Sequence, residues 1–392
     1  LKAAGIQVCV TDHHQMSLDG APASAACTVN PQQADCEYDK TVAGCFVIFL
    51  VMTQVRSALI QQGVLPADTP SLKDLSLNVA LGTVADSVSL QSPNNRAIVQ
   101  AGLQVINQFN VPAWQAMKEL NDNQGQPFNA EYLGFQVATR INAASRVSDV
   151  TTAFNFLTSE TLEEAQLNLT QLDEDNLDRR SQQQVMLEEA QNIAKAMYHP
   201  EKYSLAVPLQ GNAGIQGIIA TRIGEQFGLP CVAMTDLKDG NLAGSGRAIV
   251  PDLDLREAFQ WMSEQDPELF HSMGGHKGAA GCMIPLDKYE VFAKLFEIAV
   301  KNQLADEPPV PIIETDGELA DDMLIPELIP HLNALEPFGR EWPQPLFSGN
   351  FELIQIREVG QTKTHLSCKL RTIGGKTIQA IYFNAKQSAD EP

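Results

Sequence analysis

Apolar and polar positions divide the chain into stretches of two kinds. Short runs that are apolar throughout, over 6–10 and 231–235, are typical of strands buried on both faces of a parallel sheet. Longer stretches over 42–60, 72–84 and 97–106 carry apolar residues at near-helical spacing and predict helices. The alternation of the two kinds predicts an α/β fold.

The longest predicted helix spans 162–197 and is mostly polar. Thr161 followed by Glu164 fits a capping box at its start. Two short apolar stripes lie near its ends, and the surface between them is rich in Glu, Gln and Asp. Such a helix is expected to bridge two domains. The stripes are Leu162, Ala165, Leu169 and Leu172, and then Ile193, Ala194 and Met197.

A second, smaller α/β region is predicted over about 203–304. Its strands are predicted at 204–209, 231–235 and 245–250, with helices beginning near Gly214 and Leu286.

The remainder of the chain is β-rich. Three prolines over 306–311 predict a linker, and the stretches 351–356, 365–370 and 377–383 favour strands. The pattern fits a small β-barrel or, equally well, a fragment of a sandwich.

Composition narrows the function classes. A net charge of −21 argues against a protein that coats nucleic acid through a broad basic surface, although it permits a local basic groove. Seven irregularly spaced cysteines predict reduced, mostly buried thiols in a cytoplasmic protein. The longest apolar run, 42–52, is interrupted by Gly44 and is shorter than a membrane span requires, so no membrane partner is expected.

Asp12-His13-His14 directly follows the first predicted strand, where open α/β sheets bind ligands. Asp86 ends an apolar helical stretch, a position unfavourable for a carboxylate unless a cation compensates. An imidazole and a carboxylate suit ions such as Mn²⁺ or Mg²⁺. Taken singly, the first motif is more often a polar loop, and Asp86 an ordinary turn residue.

Two glycine-rich segments of the second region suit anion binding. Gly244-Ser245-Gly246-Arg247 combines close backbone approach with a guanidinium fork. The segment 274–281 offers a backbone cradle with His276 as a donor. The alternatives are a tight turn with a solvated arginine, and a flexible loop.

A proline-rich turn over 337–345 leads into the β-rich region. Its Phe338 and Trp342 are candidates for stacking on bases, although core packing is the commoner fate of such aromatics.

Taken together, these motifs occur in the order and at about the spacing of the RecJ family of DHH phosphoesterases, which the chain resembles over nearly its whole length. Asp12-His13-His14 resembles the motif that names the superfamily, and 82–86 resembles its fourth motif. The segments 133–136 and 140–146 resemble a RecJ segment that closes the catalytic domain. The two glycine-rich segments resemble the DHHA1 domain, and 337–339 resembles the start of the RecJ OB domain.

The resemblance implies an α/β fold with four parts. These are an incomplete parallel-sheet DHH domain (1–150), a connecting helix (151–200), a smaller α/β DHHA1 domain (201–305) and an OB-like β-barrel that binds nucleic acid (306–392). It also implies a 5′-to-3′ exonuclease that hydrolyses single-stranded DNA with two Mn²⁺ or Mg²⁺ ions, in repair and recombination. A single-strand-binding protein or a helicase is the expected kind of protein partner.

The resemblance further implies roles for matching residues. His13 and Asp86 would ligate metal, Asp12 would orient the motif, and His14 would contact the scissile phosphate. Residues expected to hold phosphates or to line the DNA channel are Arg140, Arg146, Arg222, Ser245, Gly246, Arg247, Gly275 and His276.

The chain departs from the family pattern at Ser145, Asn212, Glu341 and Trp342. The aspartates that complete the family's metal site would precede Leu1, so the sequence as given is expected to be inactive or severely weakened. Two alternatives stay open. One is a DHH phosphodiesterase of short oligonucleotides or cyclic dinucleotides, and the other is a non-catalytic scaffold that retains the fold.

Overall fold

The computed structural model describes residues 1–16, 20–120, 125–147, 149–361, 363–383 and 385–386. The chain folds into two compact units. The first comprises 1–103, 129–131 and 313–392, and the second comprises 104–128 and 132–312.

The first unit opens with two short parallel strands, β1 (Cys9–Thr11) and β2 (Cys27–Val29). The strand predicted over 6–10 therefore begins later than expected. The apolar run before it is not buried either, since Ile6 is 50% exposed. In the described residues β1 pairs with β2 alone, and its residues are exposed or half-buried rather than buried on both faces. Three helices follow, namely α1 (Gly44–Gln61), α2 (Ser76–Ala85) and α3 (Pro93–Ile106).

Helix α1 is the one helix among the described residues that is long and apolar enough to cross a membrane, with 18 residues and a mean hydropathy of 1.5. The expectation that no stretch reaches this length is wrong, because Gly44 begins the helix rather than interrupting the apolar run. One such helix is weak evidence for a membrane protein, since core helices of other proteins pass the same test.

The second unit begins with helices that surround one long helix. The predicted helix over 162–197 is confirmed with the same bounds. Thr161 Oγ1 accepts a hydrogen bond from Glu164 N at 3.2 Å, as a capping box requires, while the Glu164 carboxylate accepts from Glu160 N. The elements of this unit are α4 (Pro112–Leu120), a π-helical turn (Leu133–Ala138), α6 (Thr139–Val147), α7 (Val150–Thr158) and α8 (Leu162–Met197), while the short α5 (Ala130–Tyr132) lies mostly in the first unit.

The middle of α8 is less solvated than its composition suggests. Asp175, Asn176 and Arg179 are buried there, because α4, α6 and α7 pack against this helix. The helix lies within the second unit.

A five-stranded mixed sheet follows. Its strands are β3 (Leu205–Leu209), β4 (Cys231–Asp236), β5 (Asn241–Arg247), β6 (Ser272–His276) and β7 (Ala279–Pro285), in the order β3-β4-β5-β7-β6. Only the β3–β4 pair is parallel. Two interpretations were wrong in detail. The strand predicted at 245–250 spans 241–247, since the backbone leaves the sheet where Ile249 adopts φ of +64°. The segment 274–281 is an antiparallel hairpin rather than a loop, because its glycines pair across the two strands.

The strands and remaining helices of this sheet domain alternate along the chain. The helices are α9 (Gln216–Phe227) between β3 and β4, α10 (Leu255–Gln265) between β5 and β6, and α11 (Tyr289–Gln303) after β7.

Strand β4 shows why the run 231–235 is apolar throughout. Val232 and Met234 join the cluster under α10 and α11, whereas Cys231 and Ala233 join the cluster under α8 and α9. Because successive side chains point to opposite faces, both sets must be apolar. Of the seven free cysteines, Cys231 and Cys282 are buried, so the expectation of mostly buried thiols is wrong.

The first unit ends in a short helix, α12 (Leu328–Asn333), and a three-stranded antiparallel sheet in the order β10-β9-β8. The three predicted strands are confirmed, and the sheet fits the expected OB-like architecture. The strands are β8 (Phe351–Val359), β9 (His365–Thr372) and β10 (Thr377–Tyr382).

Candidate active site

The first candidate site joins the end of β1 to the end of α2. Nε2 of His13 lies 3.3 Å from Oδ2 of Asp86, which is the C-cap residue of α2. Two features allow this approach. A Cβ on Gly44 would lie 3.3 Å from His13 Cδ2, and a Cβ on Gly82 would lie 2.6 Å from Cys45 Sγ. The absence of these side chains lets α1 approach both the motif and α2 closely.

Asp12 organises the rest of the motif. Its Oδ1 accepts hydrogen bonds from His13 N at 2.8 Å and His14 N at 3.2 Å, and it lies 2.7 Å from Nδ1 of His14. Burial alone would raise the pKa of Asp12, but these hydrogen bonds, led by the one from the His14 side chain, hold it below its usual value. The carboxylate is therefore ionised near neutral pH and orients an imidazole that is 78% exposed.

His13 and Asp86 fit two adjacent ligands of a divalent ion. Ligands about 2.1 Å from an octahedral ion and at right angles to one another lie about 3.0 Å apart, close to the observed 3.3 Å. Within the described residues no group of three or more His, Cys, Asp or Glu side chains is placed to hold a metal. Among the described residues, His13 and Asp86 are therefore two candidate ligands that lie close together.

The second candidate site lies on one face of the mixed sheet, in the second unit. Arg247 of β5 is opposite Ala279 of β7, and Ala279 is opposite His276 of β6. Directly opposed residues point to the same face, so Arg247 and His276 flank a small residue, two strand spacings or about 10 Å apart. Gly281, opposite Ser245, extends this floor of small residues.

Ser245 and Arg247 are held together at one side of that floor. Arg247 Nη1 donates to Ser245 Oγ at 3.1 Å and to the Gly246 carbonyl oxygen at 2.7 Å. Gly217 in α9 makes room for both, since a Cβ there would lie 2.6 Å from Arg247 Nη2 and 3.0 Å from Ser245 Oγ. Sequence reasoning missed Gly217, although its spacing of three from Gly214 at a predicted helix start was a usable signal.

Arg146 adds a second cation to this region. Its guanidinium donates to the Gly214 carbonyl oxygen, and it is exposed. The pKa of Arg247 is lowered, mainly by burial of the guanidinium and to a smaller extent by repulsion from Arg146. Among the described residues neither arginine has a carboxylate within 4 Å, so their charges are available to an anion.

The glycines predicted to cradle an anion occupy distinct positions. Gly275 has φ of +143°, and a Cβ there would lie 2.4 Å from the Ala279 carbonyl oxygen, so only glycine fits this point of the hairpin. Gly246 instead faces the core, with a Cβ position 3.3 Å from Leu255 Cδ1. His276 Nδ1 accepts from Gly278 N at 3.2 Å.

Two predicted DNA-binding arginines lie elsewhere. Arg140 Nε donates to Asp173 Oδ1 at 2.6 Å and so joins α6 to α8. Arg222 is exposed on α9, with Glu225 at 3.7 Å. The structure does not bring either residue into contact with Arg247 or His276.

Asn212 has a bridging position that the sequence did not reveal. Its Oδ1 accepts from Gly214 N at 2.8 Å, while Nδ2 donates to the Arg146 carbonyl oxygen and to Gln182 Oε1. The side chain therefore ties the start of α9 to α6 and α8.

Trp342 is not free to stack on bases from both faces. The Arg96 guanidinium carbon lies 4.6 Å from the centre of its ring, and Trp342 Nε1 donates to the Leu335 carbonyl oxygen at 3.0 Å. Phe338 is half-buried.

Comparisons with known proteins agree with this architecture. The family model for the DHHA1 domain matches residues 201–302, and that for the RecJ OB domain matches 315–392. The single-stranded-DNA-specific exonuclease RecJ of Escherichia coli is 33% identical over 402 residues, covering 98% of this chain and 67% of that protein. The RecJ of Bacillus subtilis is 31% identical, covering 98% of this chain and 46% of that protein.

Solved structures give the same result. The crystal structure of RecJ from Thermus thermophilus in complex with Mn²⁺ superposes with a TM-score of 0.77 at 27% identity, and a second, in complex with Mg²⁺, with 0.74. The first match covers 100% of this chain and 54% of the Thermus chain. The chain thus spans about two thirds of the Escherichia coli protein and about half of the Thermus chain.

Sequence identity over almost the full chain, two domain matches and a shared fold therefore agree: the chain belongs to the RecJ family of single-stranded-DNA-specific exonucleases.

Proposed function

We propose that the protein is a metal-dependent exonuclease that hydrolyses the phosphodiester bonds of single-stranded DNA from its 5′ end. The observation that carries this proposal is the convergence of His13 and Asp86 at 3.3 Å, at the end of β1 where the family motif begins. The relatives named for single-stranded-DNA-specific exonuclease activity support the substrate class, and the Mn²⁺ and Mg²⁺ complexes of the Thermus protein support the ion.

The residues of the first site have separate tasks in this proposal. His13 and Asp86 hold a divalent ion, with the ligands that complete its sphere supplied from outside the described cluster. Asp12 fixes the ring of His14 through Nδ1, so that Nε2 is directed to a phosphate oxygen. When bound, the ions lower the pKa of water and stabilise negative charge on the phosphoryl oxygens.

The sheet face of the second unit holds the strand in this proposal. Arg247 offers a partly buried, charge-assisted donor and Ser245 a hydroxyl, while His276 lies across the small-residue floor. Arg146 adds an exposed cation. A phosphate seated on this floor is reached by donors from two sides, and the absence of bulky side chains at Ala279 and Gly281 lets it approach the backbone.

The wider setting of this activity is also part of the proposal. We assign residues 1–150 to the DHH part, 151–200 to the connecting helix, 201–305 to the DHHA1 domain and 306–392 to the OB-like domain. We also propose action in the cytoplasm, in repair and recombination, together with a single-strand-binding protein or a helicase; membership of the RecJ family supports this part of the proposal. Digestion polarity rests on the same ground.

A length series of 5′-phosphorylated single strands, from a dinucleotide upward, tests the proposal in the intact protein with Mn²⁺. We expect nucleotide release that increases with strand length, is absent with a chelator, and is much slower on a duplex of the same sequence. A preference for dinucleotides would instead support a phosphodiesterase of short substrates. No release, together with no Mn²⁺ binding, would indicate a non-catalytic scaffold.

A further inference from the structure

The segment 335–342, here called the C-terminal turn, is attached to α3 by an arginine. Arg96 Nη2 donates to the carbonyl oxygens of Leu335 at 2.8 Å and Glu336 at 3.2 Å, and Nη1 donates to that of Pro337 at 3.0 Å. The same guanidinium covers the ring of Trp342. One side chain thus satisfies three carbonyls and one aromatic face, which fixes the turn to α3 within the first unit.

The C-terminal turn also contacts the loop 86–92, which follows α2. Leu90 N donates to the Arg340 carbonyl oxygen at 2.8 Å, and Arg340 Nη1 donates to the Ser87 carbonyl oxygen at 3.3 Å. Gly339 lies against Leu90, since a Cβ there would be 2.7 Å from Leu90 Cδ1. The loop is therefore held by the turn at two of its residues.

Trp342 extends this contact to the helix that carries Asp86. It packs with Val84 against a cluster centred on Leu90, Val99 and Ala130. Val84 precedes Asp86 by two residues and Leu90 follows it by four, so the chain is packed into one cluster on both sides of Asp86. Leu90 is 2% exposed, which leaves little space for the loop to shift while the ring is in place.

We propose that the C-terminal turn, through Trp342 and Arg340, is a positioning element for Asp86 and thereby sets the affinity of the site for its divalent ion. The inference rests on the proposed metal site and adds a role for residues far along the chain. Trp342 does not touch the ion in this scheme. It restricts the segment 84–90 to the conformation in which the Asp86 carboxylate meets the His13 ring, as supporting residues do around metal ligands.

Mn²⁺ binding to the intact protein tests this inference without reference to activity, with free ion followed by its electron paramagnetic resonance signal. Trp342→Ala should weaken Mn²⁺ binding roughly tenfold, the scale of other losses of supporting groups around metal ligands. Trp342→Phe keeps an aromatic ring in the cluster of Leu90, Val99 and Ala130 and should bind within about twofold of the unaltered protein.

Two further variants separate the possible causes. Trp261→Ala removes a partly buried tryptophan from the core of the second unit and should destabilise the protein without changing Mn²⁺ affinity. Asp86→Ala should abolish the site. Normal Mn²⁺ affinity in Trp342→Ala, with Asp86→Ala impaired, would overturn the positioning role alone. An equal loss in Trp261→Ala would overturn it too, and normal affinity in Asp86→Ala would overturn the metal site itself.

Discussion

Nε2 of His13 and Oδ2 of Asp86 lie 3.3 Å apart, although they come from the end of a strand and the end of a helix that are well separated in the chain. If this pair ligates an ion, Asp86→Ala in the intact protein should reduce turnover by roughly 10²-fold or more, since an ion contributes several kcal/mol of charge stabilisation. Strand binding should be nearly unchanged. Steady-state kinetics measure the turnover rate, and fluorescence anisotropy measures strand affinity separately.

Asp68→Ala is the matched control for this change, because it removes an exposed carboxylate from a loop of the same unit. It should leave both values intact. Turnover of Asp86→Ala within a few-fold of the unaltered protein would show that Asp86 is not a ligand.

Arg247 offers a test of the second site. Its guanidinium is partly buried beside Ser245 and lacks a carboxylate partner within 4 Å among the described residues. Arg247→Ala should weaken single-strand binding, and the loss should shrink as salt rises, with the slope of log affinity against log salt falling by about one. Titrations at several salt concentrations measure this slope.

Arg256→Ala changes the net charge equally at an exposed position on α10, away from the sheet face. An identical change of slope in that control would mean that net charge alone explains the effect.

Gly217→Ala should affect strand binding without lowering the stability of the protein. A methyl group there would lie 2.6 Å from Arg247 Nη2 and 3.0 Å from Ser245 Oγ, so Gly217→Ala should displace both. The same change lies in the first turn of α9, where alanine is favoured over glycine by up to about 1 kcal/mol. We expect a melting temperature that is unchanged or higher, together with several-fold weaker strand binding.

Combining Gly217→Ala with Arg247→Ala tests the cause. If glycine serves to admit Arg247, the double variant should bind no worse than Arg247→Ala alone. Fully additive losses would refute this explanation.

Local signals explain which elements the sequence predicts well. Helix α8 is bounded by Thr161 with its capping bond, and β4 is apolar on both faces, so each is determined by nearby residues. The end of β5 depends instead on the left-handed φ of Ile249, a residue with no intrinsic preference for that conformation. The hairpin of 274–281 depends on pairing with β5, which glycine content alone does not indicate.

The candidate sites show the same division. Family motifs pointed to His13, Asp86 and Arg247, but not to what holds them. The approach of α1 to α2 at Gly82, the space at Gly217 and the packing of Trp342 and Val84 against one cluster all join residues distant in the chain. Such contacts follow from tertiary packing. The spacing of Gly217 from Gly214 is a local signal for one of them, whereas neither spacing nor periodicity indicates the contacts at Gly82 and Trp342.

Asp39 links stability to pH at the start of α3. Burial alone would raise its pKa, but hydrogen bonds from Ser92, Thr41 and Asn94 hold it below 3.8. A depressed pKa means that the stabilisation is fully present above 3.8 and is lost as pH falls through the lower folded-state value. Asp39→Asn should therefore lower the free energy of unfolding by about 1–2 kcal/mol near neutral pH, and this difference should shrink at pH values below 3.8.

Urea unfolding at a series of pH values measures that difference. Asp35→Asn, an exposed carboxylate in the same loop, is the control and should have no comparable effect at any pH. The free energies of unfolding of Asp39→Asn and the unaltered protein could instead differ by the same amount at every pH. That result would show that the ionised carboxylate of Asp39 is not the source of the stabilisation.

Arg140 distinguishes a structural role from a role in the DNA channel. Its guanidinium meets Asp173 at 2.6 Å, with the two side chains 14% and 26% exposed. Removing one member of a partly buried pair leaves the other without its partner, so Arg140→Ala should cost about 1–3 kcal/mol of stability. The salt dependence of strand binding should not change, in contrast to Arg247→Ala. Adding Asp173→Ala should recover part of the lost stability, because the stranded carboxylate is then removed as well. A reduced salt slope with normal stability would instead place Arg140 against the DNA backbone.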